Sequence, residues 1–129
     1  MPETFEIAIK EVLHHEGGFV NMKEDPGGMT NRGITKRVYE KWIGREASEQ
    51  EMRDLTEETA IAIYKKNYWD RCKCDELGSG LDWAVFDWAV NSGTRRVSKA
   101  LQKACGAERD GVIGNKTLSL ANGQDVIYD

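Results

Sequence analysis

The stretch that decides how this chain is read is His15-Glu16-Gly17-Gly18-Phe19-Val20-Asn21, continued by Glu24-Asp25-Pro26-Gly27-Gly28-Met29-Thr30-Asn31-Arg32-Gly33-Ile34-Thr35. Upstream of it, Phe5, Ile9, Val12 and Leu13 recur at spacings of three and four, which predicts an amphipathic helix from Glu3 to about His15. Gly17-Gly18 stops that helix and leaves Glu16 in its last turn. Downstream, Pro26 and the glycines at 27, 28 and 33 predict a loop or a short twisted hairpin. A carboxylic acid at a helix end, followed by a tightly turned polar loop, is a combination that few purely structural needs demand.

Further along, helix follows helix. Thr35 is expected to cap a segment carrying Val38, Tyr39 and Trp42, and Ser48 with Glu51 forms a capping-box pattern ahead of Leu55. Thr56 opens a stronger segment with Glu57 and Glu58 in its first turn and a stripe of Ile61, Tyr64 and Tyr68, ending near Trp69. Cys72 to Gly80 reads as a connection. Leu81 to Ser92 is the most apolar helix, with Leu81, Val85, Trp88 and Ala89 on one face, and it is expected to be central and buried. Gly93 breaks it, and Thr94 is expected to cap a helix whose apolar side is Val97, Ala100, Leu101 and Ala104. After the Asp110-Gly111-Val112-Ile113-Gly114 turn, a last short helix carries Leu118 and Leu120.

No fixed-period repeat is present, and candidate strands occur only between residues 18 and 35. The expected fold class is therefore mainly α within an α+β architecture. It is a helical bundle around the central apolar helix, with a small loop or β-hairpin lobe.

A chain of 129 residues can bury a single core with a functional cleft, so one compact unit is expected. With 18 basic against 22 acidic residues the net charge is −4, which argues against a nucleic-acid partner. Arg95, Arg96, Lys99 and Lys103 share a helical face that reads as solvated. Cys72, Cys74 and Cys105 form no even framework, and the single residue between the first two does not fit zinc or redox spacing, so they read as unpaired thiols. Glu11, His14 and His15 lack a further ligand at zinc spacing, and no metal or other cofactor is expected. The N-terminal run Met1-Pro2-Glu3-Thr4-Phe5-Glu6 has neither a positive region nor an apolar run, and no segment reaches the length that spans a bilayer. The expectation is synthesis in the cytoplasm without a signal peptide, no stable membrane insertion, and a monomer.

Cleaving a glycosidic bond needs a protonated carboxylic acid for the leaving oxygen, and a second polar group that activates water or stabilises the oxocarbenium-like transition state. Glu16 and Asp25, nine positions apart, can supply these roles if the loop folds back around a sugar-sized gap, and Thr30 can hold the water. Gly27, Gly28 and Gly33 can take positive φ and let the backbone approach a bulky sugar, or simply serve a tight turn. Asp87 and Asn91 lie one helical turn apart and need partners if buried, either backbone and water or a ligand. Gly28, Asn31 and Asn91 complete the expected set as substrate contacts.

The run from 15 to 35 closely resembles the signature of glycoside hydrolase family 108, bacterial and phage N-acetylmuramidases of lysozyme-like fold that hydrolyse the glycan of peptidoglycan. The likeness continues more loosely through Phe86-Asp87-Trp88-Ala89-Val90-Asn91-Ser92-Gly93, similar to that family's central helix. It extends through Leu101-Gln102 and Asp110 to Thr117, similar to its peptidoglycan-binding region. The resemblance implies a lysozyme-like catalytic region over 1–94 and the start of a peptidoglycan-binding region over 95–129. The glutamate of the family's Glu-Gly-Gly motif falls on Glu16, which implies a general acid there, the same role the chemistry asks for. Where members often carry an Asp-Pro pair this chain has Met22-Lys23, which leaves Asp25 as the second carboxylate. Members typically run on beyond the point where this chain stops at Asp129, which implies a fragment or a short form.

The expected partner is thus the peptidoglycan glycan strand, cut between N-acetylmuramic acid and N-acetylglucosamine at the wall or in the periplasm after release from the cell that makes the enzyme, with host lysis as the outcome if a phage encodes it. Two alternatives share the same sequence. A lytic transglycosylase also relies on one glutamate but closes a 1,6-anhydro ring in place of adding water. A noncatalytic wall-binding or secretion-associated module would keep the groove and lose turnover.

Overall fold

The computed structural model describes the backbone of residues 2–16, 18–21 and 28–123, and the side chains of the same residues except 2, 15 and 16. Among these are seven α-helices and a small antiparallel sheet: α1 (Pro2–Glu16), β1 (Val20–Asn21), β2 (Met29–Asn31), β3 (Ile34–Thr35), α2 (Lys36–Ile43), α3 (Glu49–Arg53), α4 (Glu57–Tyr64), α5 (Leu81–Ser92), α6 (Thr94–Cys105) and α7 (Asn115–Ala121). The mainly helical α+β class expected from the periodicities is what forms. The chain divides into two compact units, Ile9–Ile63 and Met1–Ala8 with Tyr64–Asp129.

In the unit from Ile9 to Ile63, local hydrogen-bonding chemistry sets the helix starts. The Thr35 hydroxyl accepts from the Val38 N–H at 3.2 Å and caps α2. The Thr56 hydroxyl accepts from the Thr59 N–H at 3.1 Å and caps α4. Ser48 and Glu51 close the anticipated capping box at α3, each side chain bonding the other's backbone N–H at 3.1 Å. Ile9, Val12, Ile34, Ala47, Met52, Leu55, Ala60 and Ile63 are buried.

Arg45 also pairs with Glu51. The Arg45 guanidinium first, and then the Ser48 N–H, hold the Glu51 carboxyl down at about 2. Because the folded-state value is depressed, this group stabilises the fold above the ordinary carboxylate range and ceases to do so as the pH falls to about 2. Arg45→Ala is therefore expected to melt slightly below the parent at neutral pH, and the gap is expected to close as the pH drops through that window. Thermal melts of both proteins across the acid range check it; a constant gap would contradict the pairing.

In the other unit, Phe5, Trp69 and Phe86 form a triangle of edge-to-face contacts, with centroids 5.3, 5.7 and 5.4 Å apart. The fully buried Trp69 donates its indole N–H to Asp75 at 2.7 Å. The chain reaches Trp69 through a π-helical segment, Lys65–Asp70, that continues α4. Tyr64 and Trp69 are both buried and five residues apart. That is the i to i+5 step of a π-helix, and the wider turn brings Trp69 inward where an α-helix would have turned it away.

Helix α5 buries Asp82, Val85, Phe86 and Ala89, and leaves Trp88 47% exposed. Val85 and Ala89 of the expected stripe are buried, while Asp82 and Phe86 take the core positions expected of Leu81 and Trp88, because the core face includes an acid. The Asp82 carboxylate is fully buried and accepts from the backbone N–H groups of Trp83 at 2.7 Å and Gly80 at 3.0 Å, which meets the requirement for burying a charge. The same correction applies to α6. Its buried residues are Val97, Ser98, Leu101 and Gln102, while Ala104 is exposed. Thr94 does not cap α6 but is its first residue. The cap position belongs to Gly93, at φ 92°, because α6 follows α5 with no linker and the chain must reverse at one residue.

Cys72, Cys74 and Cys105 form no disulfide. Burial raises the pKa of Cys72, and it raises that of Cys74 further, so both are protonated core residues without nucleophilic character at neutral pH.

Candidate active site

Five of the six candidate residues, Glu16, Asp25, Thr30, Gly28 and Asn31, belong to the unit from Ile9 to Ile63, and Asn91 belongs to the other. Glu16 is the final residue of α1, as its neighbouring glycines imply. Ile9 and Val12, buried on the preceding turns, anchor that half of the helix. Asp25 lies outside the described residues, as do Pro26 and Gly27.

After Glu16 the chain passes Gly18, around which a Cβ would meet nothing within 4 Å, and enters the sheet at β1. Strand β2 is the middle strand and pairs with both neighbours: Val20 with Thr30 and Asn21 with Met29 on one side, Thr30 with Thr35 and Asn31 with Ile34 on the other. Directly opposed residues share a face, so Val20, Thr30 and Thr35 form one row across the sheet, while Asn31 and Ile34 lie on the reverse face and are buried. Thr30 is half-buried at the centre of its row, and Gly28 is half-buried just before β2.

The turn between β2 and β3 is made by Arg32 at φ 54° and Gly33 at φ 79°. Two consecutive left-handed residues are the geometry of a two-residue hairpin whose twist matches its strands. Gly33 takes that conformation without steric cost, but Arg32 needs help. Its Nε donates to the Leu55 carbonyl at 3.3 Å, and its guanidinium lies 3.8 Å from the Glu57 carboxylate.

Asn31 is 5% exposed, and its amide nitrogen donates to the carbonyls of Met52 at 2.8 Å and Arg53 at 3.2 Å. It therefore ties β2 to the end of α3. Asn91 is exposed at the end of α5 and donates to the Asp87 carbonyl at 2.8 Å, one turn back along its own helix.

Beside β1, residues outside the expected set meet. The Arg53 guanidinium carbon lies 4.2 Å from the Phe19 ring centroid. Arg53 also donates to Glu49 at 3.1 Å, and Asn21 donates to the other Glu49 oxygen at 3.5 Å. The Glu49/Arg53 spacing of one helical turn was a legible signal, but nothing in the sequence says which strand such a pair would face.

A family model described as Glycosyl hydrolase 108 matches residues 9–93, which takes in Glu16, the sheet, α2 to α5 and Asn91. This chain belongs to glycosyl hydrolase family 108. Its lysozyme-like α+β fold is shared with the solved structure of SagA from Brucella abortus, to which it is 44% identical with a TM-score of 0.87, over 94% of this chain and 70% of that one. No protein of curated function matches the sequence. Membership brings with it the class of chemistry, that of a glycoside hydrolase, and the family match covers the segment in which an acid at a helix end is followed by a turned sheet.

Proposed function

We propose that this family 108 protein is an N-acetylmuramidase that hydrolyses the β-1,4 bond between N-acetylmuramic acid and N-acetylglucosamine in peptidoglycan. The observation that carries the reading is the coincidence of the family match with Glu16 at the C-terminal end of α1. A general acid must hold its proton until the leaving oxygen takes it. The last residue of a helix sits at the negative end of its dipole, which disfavours a carboxylate and favours the protonated form.

Glu16 protonates the glycosidic oxygen as the C1–O bond breaks, and water adds to the oxocarbenium-like carbon, losing a proton to the second group. Asp25 is proposed as that second group. Thr30, in the row with Val20 and Thr35, is proposed to orient the water, and Gly28 and Asn91 to contact the glycan. Asn31 contributes by holding β2, and hence Thr30, against α3. The working partner is the glycan strand of the wall, reached after release from the cell that makes the protein.

The test is the identity of the new reducing end when purified sacculi are digested. Borohydride reduction followed by mass spectrometry is expected to find reduced N-acetylmuramic acid. Reduced N-acetylglucosamine would move the scissile bond to the other linkage. Intact sacculi that merely pellet with the protein would make it a binding module.

A further inference from the structure

We propose that Trp88, with Asp87 and Asn91, forms a saccharide subsite on the exposed face of α5, where the indole stacks on an N-acetylhexosamine ring of the glycan strand. The subsite rests on the reading of the protein as a muramidase, under which Asn91 contacts the glycan and Trp88 has no role.

Trp88 is 47% exposed, the most exposed aromatic side chain among the described residues. The other large apolar side chains of α5, Leu81, Trp83, Val85, Phe86 and Val90, are buried or half-buried. Trp69 shows how this fold engages a structural tryptophan, burying it fully and taking its indole N–H with Asp75. The Trp88 indole N–H has no hydrogen-bond partner among the described residues.

A helix turns by about 100° per residue, which sets Asp87, Asn91, Ala84 and Trp88, in that order, on a strip about 100° wide. All four are exposed. Ala84 lies one turn before Trp88, and its small side chain leaves room beside the indole. Asn91 donates its amide nitrogen to the Asp87 carbonyl at 2.8 Å. The Asn91 amide oxygen and the Asp87 carboxylate have no partner among the described residues.

A pyranose presents an apolar C–H face bordered by hydroxyl groups, so it calls for a flat aromatic surface with acceptors at its rim. The indole supplies the surface, and the Asp87 carboxylate and the Asn91 amide oxygen supply the acceptors. The acetamido carbonyl of an N-acetylhexosamine can in turn accept from the indole N–H. An apolar protein partner is disfavoured by the carboxylate on the same strip, because burying it unpaired is costly. The family match over residues 9–93 contains the whole strip, and the family acts on glycosides.

Titration with the β-1,4-linked tetramer of N-acetylglucosamine tests this. Tryptophan emission of the parent is expected to move to shorter wavelength as the tetramer binds, and Trp88→Phe to lose that response. By calorimetry, Trp88→Ala is expected to bind the tetramer about tenfold more weakly. Its KM on soluble glycan chains is expected to rise by a similar factor with kcat within about twofold, the pattern of a lost binding contact. Because Trp88 is half exposed, the melting temperature is expected to move by only a few degrees. Ala84→Leu keeps the indole but fills the room beside it, and is expected to weaken binding as well. Tetramer binding by Trp88→Ala equal to the parent's, or no binding by the parent, would overturn the subsite. Digestion of sacculi alongside separates the two readings. A parent that binds the tetramer through Trp88 but leaves sacculi intact would remove the muramidase and keep the subsite. A parent that digests sacculi while Trp88→Ala matches it in binding and KM would do the reverse.

Discussion

Glu16→Gln is expected to lower turnover on purified sacculi by about three orders of magnitude, the scale general acid catalysis supplies, while KM changes little. Glutamine matches glutamic acid in size and can still accept a hydrogen bond, but it has no proton to give to a departing sugar oxygen. A loss confined to kcat is the signature of an interaction made only in the transition state. Glutamine is neutral, as is the protonated acid it replaces at the negative end of α1, so the variant is expected to melt at the parent's temperature. Loss of activity with equal stability would separate chemistry from folding. A variant that unfolded early would show that Glu16 serves the structure.

Gln102→Leu is expected to destabilise the protein by about 3 kcal/mol, roughly 10 °C in melting temperature, with the activity of the folded protein retained. Gln102 is fully buried, and its amide is consumed entirely within the fold. The nitrogen donates to the Asp110 carboxylate at 2.9 Å, the Val112 carbonyl at 3.0 Å and the Thr117 hydroxyl at 3.2 Å, while the oxygen accepts from the Gly111 N–H at 3.0 Å. One side chain from α6 thereby fastens the turn leading into α7. The Val112 N–H first and Gln102 second hold the Asp110 carboxyl below the usual carboxylate range. Gly111 takes φ +81°, which is what asks for glycine in the turn; a Cβ there would come within 3.2 Å only of the Arg95 side chain, which is exposed and can move aside. Leucine preserves bulk but strands the groups that Gln102 satisfied, which is the costly half of losing a buried hydrogen bond. Differential scanning calorimetry of the two proteins decides it. A shift of one or two degrees would mean that water replaces the amide.

The two variants show which features a sequence exposes and which it hides. Thr35, Ser48 with Glu51, and Thr56 are legible because a cap binds an N–H three residues away, and such chemistry is written locally. Gly33 is legible for the same reason, since a hairpin turn needs positive φ at a fixed offset. Asp82, Ser98 and Gln102 are buried polar residues, and a stripe counted from apolar residues alone passes over them, which displaces the expected face of α5 and puts Trp88 in the core when it is exposed. The π-helical turn before Trp69 is invisible to any search at an α-helical period.

In the candidate site, Glu16 is marked by its glycines and by the family signature. Arg53, which covers Phe19 from 34 positions away, depends on how α3 meets the sheet, and that contact is a product of folding. Asn31 is the intermediate case. Its place beside Thr30 in the sequence suggests a ligand contact, while the alternation of strand β2 turns it to the opposite face and into the carbonyls of α3.

The central claim, that Glu16 drives addition of water across a glycosidic bond, is tested most directly by digesting purified sacculi in 18O-labelled water with the parent and with Glu16→Gln, and weighing the released saccharides. Reducing ends that carry one heavy oxygen at C1 in the parent digest, and almost no release by the variant, are the predicted result. Unlabelled 1,6-anhydro ends from the parent, or labelled ends released equally fast by Glu16→Gln, would contradict it.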